Sequence, residues 1–305
     1  MTATVYTQAE ADQKISDLEQ RLEALEAGTD VPIDPVDPPD PSEEPLIYGY
    51  SKTNRSRLEK DTGVYVAAER NFADKCPTNW SNSDNANLPT RYFPFTSFKP
   101  GQGYSWSNPN LTSFRSFVKS VPRPMVLIPS HEPENDNGNP ESFKSQIKKY
   151  ADIVAEEANP NVHLAINLMT SWADKSAAQG GSVAYIPDPS ELACPLGLTW
   201  DGYRPEGKGS QTPAQIYATP KDLIESSGHA WWGIMETAAE TNAASWVKDV
   251  TDWCVAEGAK ACLYWPSQVQ EPGAVDWYPP SSAFDEFAAV ALAYGGTAIS
   301  SRYAV

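Results

Sequence analysis

The chain has 305 residues, a hydrophobic fraction of 40% and a formal net charge of −17. The negative charge argues against nucleic acid and anionic membranes as partners, and the sequence lacks an apolar run of the roughly 18 residues that a transmembrane helix needs. The N-terminus has no basic region followed by an apolar stretch, so we predict no signal peptide. The four cysteines are widely spaced and are predicted to be free thiols rather than disulfides or zinc ligands.

Residues 1–28 have a heptad pattern typical of a coiled coil. The a and d positions are occupied by Gln8, Ala11, Ile15, Leu18, Leu22 and Leu25. The g positions are basic and the following e positions are acidic, which is the pairing that parallel coiled coils use between chains. A single amphipathic helix packed on its own domain is the alternative. We predict self-association through residues 8–25; the pattern leaves dimer and trimer open, and a trimer is our prediction.

Residues 29–45 read as a linker. This segment contains six prolines and six acidic residues, a composition that cannot form a core and favours an extended polyproline II spacer of about 50 Å. The acidic residues of the first 45 positions give that region a net charge of −10 (twelve acids, two bases), leaving −7 for the rest. Most of the acidity therefore says little about a substrate.

Residues 46–305 show eight short apolar runs that we interpret as strands. They are residues 46–50, 64–68, 91–98, 125–130, 163–169, 196–200, 230–235 and 260–265. Helical patterns follow the later runs, at 142–158, 212–227, 242–258 and 284–294. Eight strands, with helices between the later ones, in about 260 residues predict an α/β fold, a (β/α)8 TIM barrel that follows the N-terminal coiled-coil helix and the Pro-rich linker. A doubly wound open sheet is the alternative, although no G-x-G-x-x-G turn follows the first strand.

Two glutamates follow strands of this predicted barrel. His131 and Glu132 come after the fourth run, and Glu236 comes after the seventh. Side chains at the carboxyl ends of barrel strands converge on one face, where the chemistry of such barrels takes place. Two facing carboxyl groups are what glycoside hydrolysis requires, one to protonate the leaving oxygen and one to attack the anomeric carbon or activate water.

These positions resemble the clan of retaining glycoside hydrolases that carry glutamates after strands 4 and 7. The His131-Glu132 pair, the Asp201-Gly202-Tyr203 motif after the sixth run and Trp265 after the eighth are similar to glycoside hydrolase family 26, the mannanase-type branch. The resemblance implies that Glu132 is the general acid/base and Glu236 the nucleophile. It also implies that Tyr203 hydrogen-bonds Glu236 and that His131, Asp201, Tyr203 and Trp265 form the substrate-binding surface, without a metal or another cofactor.

Two departures from the family argue for a glycan other than mannan. Thr237-Ala238 follow Glu236 where the family has Phe-Gly, and the segment after Glu132 lacks the aromatic residues of the mannanases. A zinc-protease H-E-x-x-H motif is absent because position 135 is Asn, while a calcium site formed by Glu134, Asp136 and Asn137 stays open. We expect Glu134 to be a solvated loop residue.

The order of coiled coil, stiff linker and glycosidase-like barrel resembles a bacteriophage tail-associated protein, specifically a minor tail protein. The resemblance implies a virion tail location after synthesis in the host cytoplasm, other virion tail proteins as partners, and a host cell-wall or surface glycan as substrate. We expect no nucleic-acid partner and no membrane insertion. The alternative is a non-catalytic structural or receptor-binding tail protein that retains a glycosidase-like barrel.

Overall fold

Eight parallel strands close into a barrel in a computed structural model, which describes residues 46–52, 54–99, 110–135, 139–204, 210–266 and 277–298. The predicted coiled coil and linker lie outside these ranges. The barrel strands, in order around the barrel, are β1 (Ile47–Ser51), β3 (Ala68–Ala73), β4 (Phe93–Phe98), β5 (Met125–Pro129), β6 (Val162–Met169), β7 (Leu196–Arg204), β8 (Trp231–Ala239) and β9 (Ala261–Tyr264). β1 pairs with β9 and closes the barrel. The predicted TIM-barrel fold is confirmed, and the open sheet is excluded.

Helices surround this barrel. They are α1 (Arg55–Thr62), α2 (Leu111–Ser120), α3 (Pro140–Glu157), α4 (Thr170–Ala173), α5 (Pro213–Ile216), α6 (Ala218–Ser227), α7 (Ala243–Ala256) and α8 (Phe284–Ala293). The side chains of Asn110 and Asn139 cap α2 and α3 by accepting from backbone N–H groups of the first turn. Within the described ranges, no helix combines the length and apolar character needed to cross a lipid bilayer.

The core has two layers because alternate residues of each strand face opposite sides. A small inner cluster fills the barrel with Ala68, Phe95, Val126, Ile128, Ala165, Met235, Ala261 and Leu263. The larger outer cluster packs strand residues such as Trp200 and Ile234 against helix residues such as Trp246 and Phe287. This double burial explains why most strands read as continuous apolar runs in the sequence.

The second predicted strand is wrong in position. The apolar run 64–68 was expected to enter the barrel, but Val64–Tyr65 forms β2, which pairs antiparallel with β10 (Thr297–Ala298) outside it. The barrel strand is β3, whose sequence AERNFA has three consecutive charged or polar residues and therefore does not read as an apolar run. Its polar side chains are buried all the same, because Glu69 pairs with Arg55 on α1, Arg70 pairs with Asp201 on β7, and Asn71 donates to Asn85 in the β3–β4 connection.

Two connections at the carboxyl ends of the strands are long and consist largely of short 3-10 turns. Between β3 and β4 these turns are Trp80–Asn82 and Asp84–Asn87. Between β6 and β7, α4 is followed by Ala177–Gln179, Ser182–Tyr185 and Pro189–Glu191.

All four cysteines are free thiols, as predicted, and two of them are half-buried rather than fully buried.

Candidate active site

A β-bulge directs Glu236 into the mouth of the barrel. Along β7 and β8 the register pairs Thr199 with Gly233 but then pairs Asp201 with Glu236, so β8 contains one extra residue in this interval. Met235 packs in the barrel interior, and without the bulge its neighbour Glu236 would face the helices. The extra residue reverses that alternation and places Glu236 beside Asp201.

Arg70 on β3 lies beneath these two carboxylates and is fully buried. Its Nη1 is 2.9 Å from Asp201 Oδ1 and 3.0 Å from Glu236 Oε1, and its Nε donates to Ser97 Oγ at 2.9 Å. A buried arginine that pairs with two carboxylates compensates part of their charge and fixes their orientation. Arg70 was not predicted as a site residue, and the signal that could have identified it is a charged residue between the apolar residues Ala68 and Phe72.

Asp201 is further held by a polar network on β6 and β7. The side-chain amide of Asn167 donates to Asp201 Oδ2 at 2.5 Å, while Thr199 Oγ1 donates to Asn167 Oδ1 at 2.9 Å. All three side chains are fully buried. Asp201 therefore lies within the strand and belongs to the support of the site, where its two oxygens are already engaged by protein donors.

The Asp201-Gly202-Tyr203 motif places the Tyr203 hydroxyl on Glu236 Oε2, to which it donates a hydrogen bond. A Cβ on Gly202 would lie 2.7 Å from Thr170 Cγ2 and 2.9 Å from the Tyr217 ring, so a larger residue would require these side chains to move. Glu236 thus has Arg70 on one carboxylate oxygen and Tyr203 on the other. These contacts fix the carboxylate in a single orientation.

Glu132 approaches from the opposite side, at the end of β5. Both Ser130 (φ 61°) and Glu132 (φ 52°) adopt left-handed backbone conformations, which non-glycine residues rarely adopt. The Glu132 amide donates to the carbonyl of Asn167 at 2.9 Å, so β6 holds the strained turn in place. Glu132, Asp201 and Glu236 offer carboxylate oxygens that all lie within 4.8 Å of one another.

Three oxygens this close are compatible with a bound metal ion, but the site has its own cation. The guanidinium of Arg70 lies against Asp201 and Glu236, two of the three carboxylates. This guanidinium supplies one positive charge and compensates part of the charge of the two carboxylates.

Burial and an excess of negative charge shift the pKa values of Glu236 and Asp201. Burial raises the pKa of Glu236 to about 7, and nearby Glu132 adds to the rise, whereas Arg70 and the Tyr203 hydrogen bond oppose it. Burial also raises the pKa of Asp201, again against the effect of Arg70. Glu132, Asp201 and Glu236 share the single guanidinium of Arg70, so its one positive charge cannot fully compensate all three carboxylates.

An aromatic row adjoins the glutamates. The Phe72 ring packs edge-on against His131, with centroids 5.5 Å apart, and against Trp265, with centroids 5.3 Å apart. Burial, together with the charges of Arg70 and Lys99, lowers the pKa of His131 well below its ordinary value. His131 is therefore a neutral imidazole at neutral pH, and its buried Nδ1 has no hydrogen-bond partner among the described residues. Phe72 was not anticipated from the sequence.

Glu134 is buried, which corrects the expectation of a solvated loop residue. Its side chain accepts hydrogen bonds from Ser182 Oγ at 2.6 Å and from the Met169 amide at 3.2 Å. Burial raises its pKa to about 7, and these hydrogen bonds oppose the rise. Glu134 thereby ties the turn that presents Glu132 to the long β6–β7 connection. The possible calcium ligands Asp136 and Asn137 lie outside the described residues.

The structure places Asp201, Tyr203 and Glu236 in the carboxyl-terminal halves of β7 and β8, and His131, Glu132 and Trp265 just after the ends of β5 and β9. No family model matches the chain, and no curated protein matches it. Among solved structures, it is similar to a glycoside hydrolase family 26 β-mannanase from Bacteroides ovatus, with a TM-score of 0.52 and 13% identity over 81% of this chain and 88% of the other. It is also similar to a broad-specificity family 5 endoglucanase from Clostridium acetobutylicum (TM-score 0.54, 9% identity, 80% and 96% covered) and to a curdlan-specific family 128 exo-β-1,3-glucanase from Blastomyces gilchristii (TM-score 0.51, 13% identity, 81% and 99% covered). These likenesses show a shared barrel fold.

Proposed function

We propose that this chain is a retaining glycoside hydrolase in which Glu132 is the general acid/base and Glu236 the nucleophile. The observation on which this rests is that one carboxylate oxygen of Glu132 lies within 4.8 Å of one carboxylate oxygen of Glu236 at the barrel mouth. Retaining enzymes hold their carboxyl groups about 5–5.5 Å apart, whereas inverting enzymes need about 6.5–9.5 Å to admit a water molecule. The similarity to three glycoside hydrolases of different families supports the same class of reaction.

The first step forms a covalent glycosyl-enzyme. An oxygen of ionised Glu236 attacks the anomeric carbon while the protonated Glu132 donates its proton to the departing glycosidic oxygen. In the second step Glu132 removes a proton from water, the resulting hydroxide attacks the anomeric carbon, and the bond to Glu236 breaks. Glu132 is then protonated again and the sugar retains its anomeric configuration.

The neighbouring residues act by positioning. Arg70 and Tyr203 hold the two oxygens of Glu236, and Asp201 with Asn167 holds Arg70 in turn. Such a preorganised arrangement places the nucleophile without reorganisation during the reaction. His131 and Trp265, joined by Phe72, supply a neutral donor–acceptor group and an aromatic surface for the sugar rings.

The test is reducing-sugar release from bacterial cell-wall polysaccharides, β-mannans and β-glucans. We expect release by the wild type and by Glu141→Gln, a control on the exposed start of α3, and a loss of at least about 1000-fold in Glu132→Ala and Glu236→Ala. Added azide should rescue Glu236→Ala with a glycosyl azide of inverted configuration, and Glu132→Ala with one of retained configuration.

Two results would contradict the mechanism. Product NMR that shows an inverted anomeric centre in the wild type would exclude the covalent intermediate. Glycan binding without release, retained in both alanine variants, would instead assign the chain to the non-catalytic receptor-binding class. The Thr237-Ala238 sequence after Glu236, which departs from family 26, is the feature that favours this second class.

We further propose that the glycan is a host cell-surface polysaccharide and that the chain acts as part of a bacteriophage tail, together with other tail proteins. The support is the heptad pattern in residues 1–28 and the acidic Pro-rich segment 29–45, both read from the sequence. Self-association through residues 8–25 would present several barrels to one surface and increase avidity.

Sedimentation of the full chain tests the self-association. We expect a trimer for the wild type and a monomer when Leu18→Asp disrupts the d position of the heptads, with reducing-sugar release per barrel unchanged. A wild type that sediments as a monomer at micromolar concentration would exclude this assembly.

A further inference from the structure

The turn that carries Glu132 has an unusual backbone that neighbouring strands hold on one side. Ser130 and Glu132 have φ angles of 61° and 52°, which non-glycine residues keep only where surrounding contacts impose them. The Ser130 amide donates to the carbonyl of Phe98 at 2.6 Å, and the Glu132 amide donates to the carbonyl of Asn167 at 2.9 Å. These two bonds fix the turn as it leaves β5, and its far side depends on other contacts.

Glu134 supplies a contact on the far side of this turn. Its side chain is buried, and its Oε1 accepts hydrogen bonds from Ser182 Oγ at 2.6 Å and from the Met169 amide at 3.2 Å. Burial of a carboxyl group is costly unless hydrogen bonds replace those to water. Its Oε2 is buried as well and has no hydrogen-bond partner among the described residues. One oxygen of Glu134 therefore provides the whole attachment.

The partner Ser182 belongs to a well-packed part of the β6–β7 connection. It begins the turn Ser182–Tyr185, and its Oγ also lies 3.2 Å from the carbonyl oxygen of Met169. The Tyr185 ring is buried and packs edge-on against Phe143 of α3, with centroids 5.7 Å apart. The far side of the Glu132 turn is thus attached to the body of the barrel and not to a solvated loop.

The two proposed catalytic carboxylates are held in different ways. Arg70 and Tyr203 contact the two oxygens of Glu236 directly. In the part of the chain that the structure describes, no side chain donates a hydrogen bond to the Glu132 carboxylate. The position of Glu132 therefore depends on the backbone of its turn. A misplacement of about 1 Å can lower the rate of a reaction about 100-fold.

We propose that Glu134 is a positioning residue for the acid/base. By attaching the turn to Ser182 and Met169, it holds the Glu132 carboxyl group within proton-transfer distance of the glycosidic oxygen. This inference rests on the proposed glycoside hydrolase function. Its consequence is selective, because a displaced Glu132 slows the release of leaving groups that need a proton and spares those that depart as stable anions.

The kinetic test compares phenyl with 2,4-dinitrophenyl β-glycosides of mannobiose, cellobiose and laminaribiose. Dinitrophenolate departs without a proton, whereas the phenyl group needs one from Glu132. Glu134→Ala removes the acceptor, while Ser182→Ala removes the 2.6 Å hydrogen bond alone and is the milder change should Glu134→Ala not fold. Glu134→Gln is the conservative variant, because its Oε1 can still accept both bonds. Glu141→Gln, on the exposed start of α3, is the matched control.

We expect kcat/KM on phenyl glycosides to fall at least about 30-fold in Glu134→Ala and at least about 5-fold in Ser182→Ala, with values for dinitrophenyl glycosides within about threefold of wild type. Glu134→Gln should restore the phenyl value to within about threefold. On dinitrophenyl glycosides kcat and KM should fall together in Glu134→Ala, because Glu132 also activates the water of the second step. Equal losses on the two leaving groups, or no loss on either, would overturn the positioning role.

A crystal structure of Glu134→Ala gives a second readout that needs no substrate. We expect the turn to shift and the carboxylate oxygens of Glu132 to lie farther than 4.8 Å from those of Glu236. An unchanged turn would also overturn the inference. Failure of the proposed function is seen separately, as absence of both phenol release and reducing-sugar release by the wild type.

Discussion

Arg70 Nη1 lies 3.0 Å from Glu236 Oε1, although two strands, β1 and β9, separate their strands around the barrel. The guanidinium therefore reaches across the barrel interior to hold a carboxylate that belongs to the opposite side. The same nitrogen holds Asp201, the register partner of Glu236. Both the position and the charge of Glu236, the candidate nucleophile, therefore depend on the side chain of Arg70.

Arg70→Met removes the cation and leaves two buried carboxylates facing each other. Breaking a buried ion pair costs about 3–5 kcal/mol in free energy of unfolding, because the remaining charge is uncompensated. We expect a loss of that order at pH 8 in urea unfolding and a smaller loss at pH 5, where protonation of Glu236 relieves the repulsion. A kcat/KM at least about 100-fold lower should accompany it. Arg70→Lys is the comparison variant, since it keeps the charge but not the planar fork.

The pH profile of kcat/KM reports the ionisation of the nucleophile. Burial raises the pKa of Glu236 to about 7, and only the ionised form attacks, so activity should fall about tenfold per pH unit below 7. Removing Arg70 eliminates the charge that opposes this rise, so Arg70→Met should shift the acid limb to higher pH. A limb near pH 4, in wild type and variant alike, would show that Glu236 is not the group being titrated.

Much of this site could be predicted from the sequence because the strand ends are local features. Glu132 and Glu236 each follow an apolar run, and parallel strands bring such positions to one face. Arg70 and Asn167 could not be found in this way. Their partners are 131 and 34 residues distant along the chain, and the pairings exist only once the barrel closes.

The bulge in β8 is a second limit of the sequence pattern. Simple alternation assigns Met235 and Glu236 to opposite sides of the strand, and nothing in the run AWWGIMET marks the extra residue. Glu236 was placed at the rim on the assumption that the strand ends before it, whereas the strand continues to Ala239. The prediction that Glu236 lies at the barrel mouth therefore depended on the order of the strands and not on the local geometry of β8.

Glu134 offers a test of stability against pH at a residue outside the proposed catalytic pair. Burial raises its pKa from an ordinary value near 4.5 to about 7, so between these values the folded chain binds more protons than the unfolded chain. The free energy of unfolding must then fall as pH rises through this window and level off above it. The size of the effect is about 3.5 kcal/mol at most, from about 1.4 kcal/mol per pKa unit.

Glu134→Gln removes this titration while its Oε1 can still accept from Ser182 and Met169. We expect the variant to be more stable than the wild type at pH 8 and nearly equal to it below pH 4.5, as measured by urea unfolding at several pH values. Glu134→Ala, which loses the acceptor as well, should be less stable at low pH. A constant difference between Glu134→Gln and wild type across the range would mean that Glu134 titrates normally in the folded chain.

Thr237, which stands where family 26 has Phe, makes a buried hydrogen bond whose contribution to stability can be tested. Its Oγ1 accepts a hydrogen bond from Trp246 Nε1 at 3.0 Å, and both side chains are buried. Thr237→Val has nearly the same shape but leaves the indole N–H unpaired, which costs about 1–3 kcal/mol. Thr237 does not contact Glu132 or Glu236 through its hydroxyl, so we expect Thr237→Val to lower the free energy of unfolding by that amount with kcat/KM within about threefold of wild type.

The double variant with Trp246→Phe, which removes the unpaired donor, should be less destabilised than the sum of the two single changes. Strict additivity of the two losses would show that the hydrogen bond contributes nothing, and a large loss of activity in Thr237→Val would place this residue in the site rather than behind it.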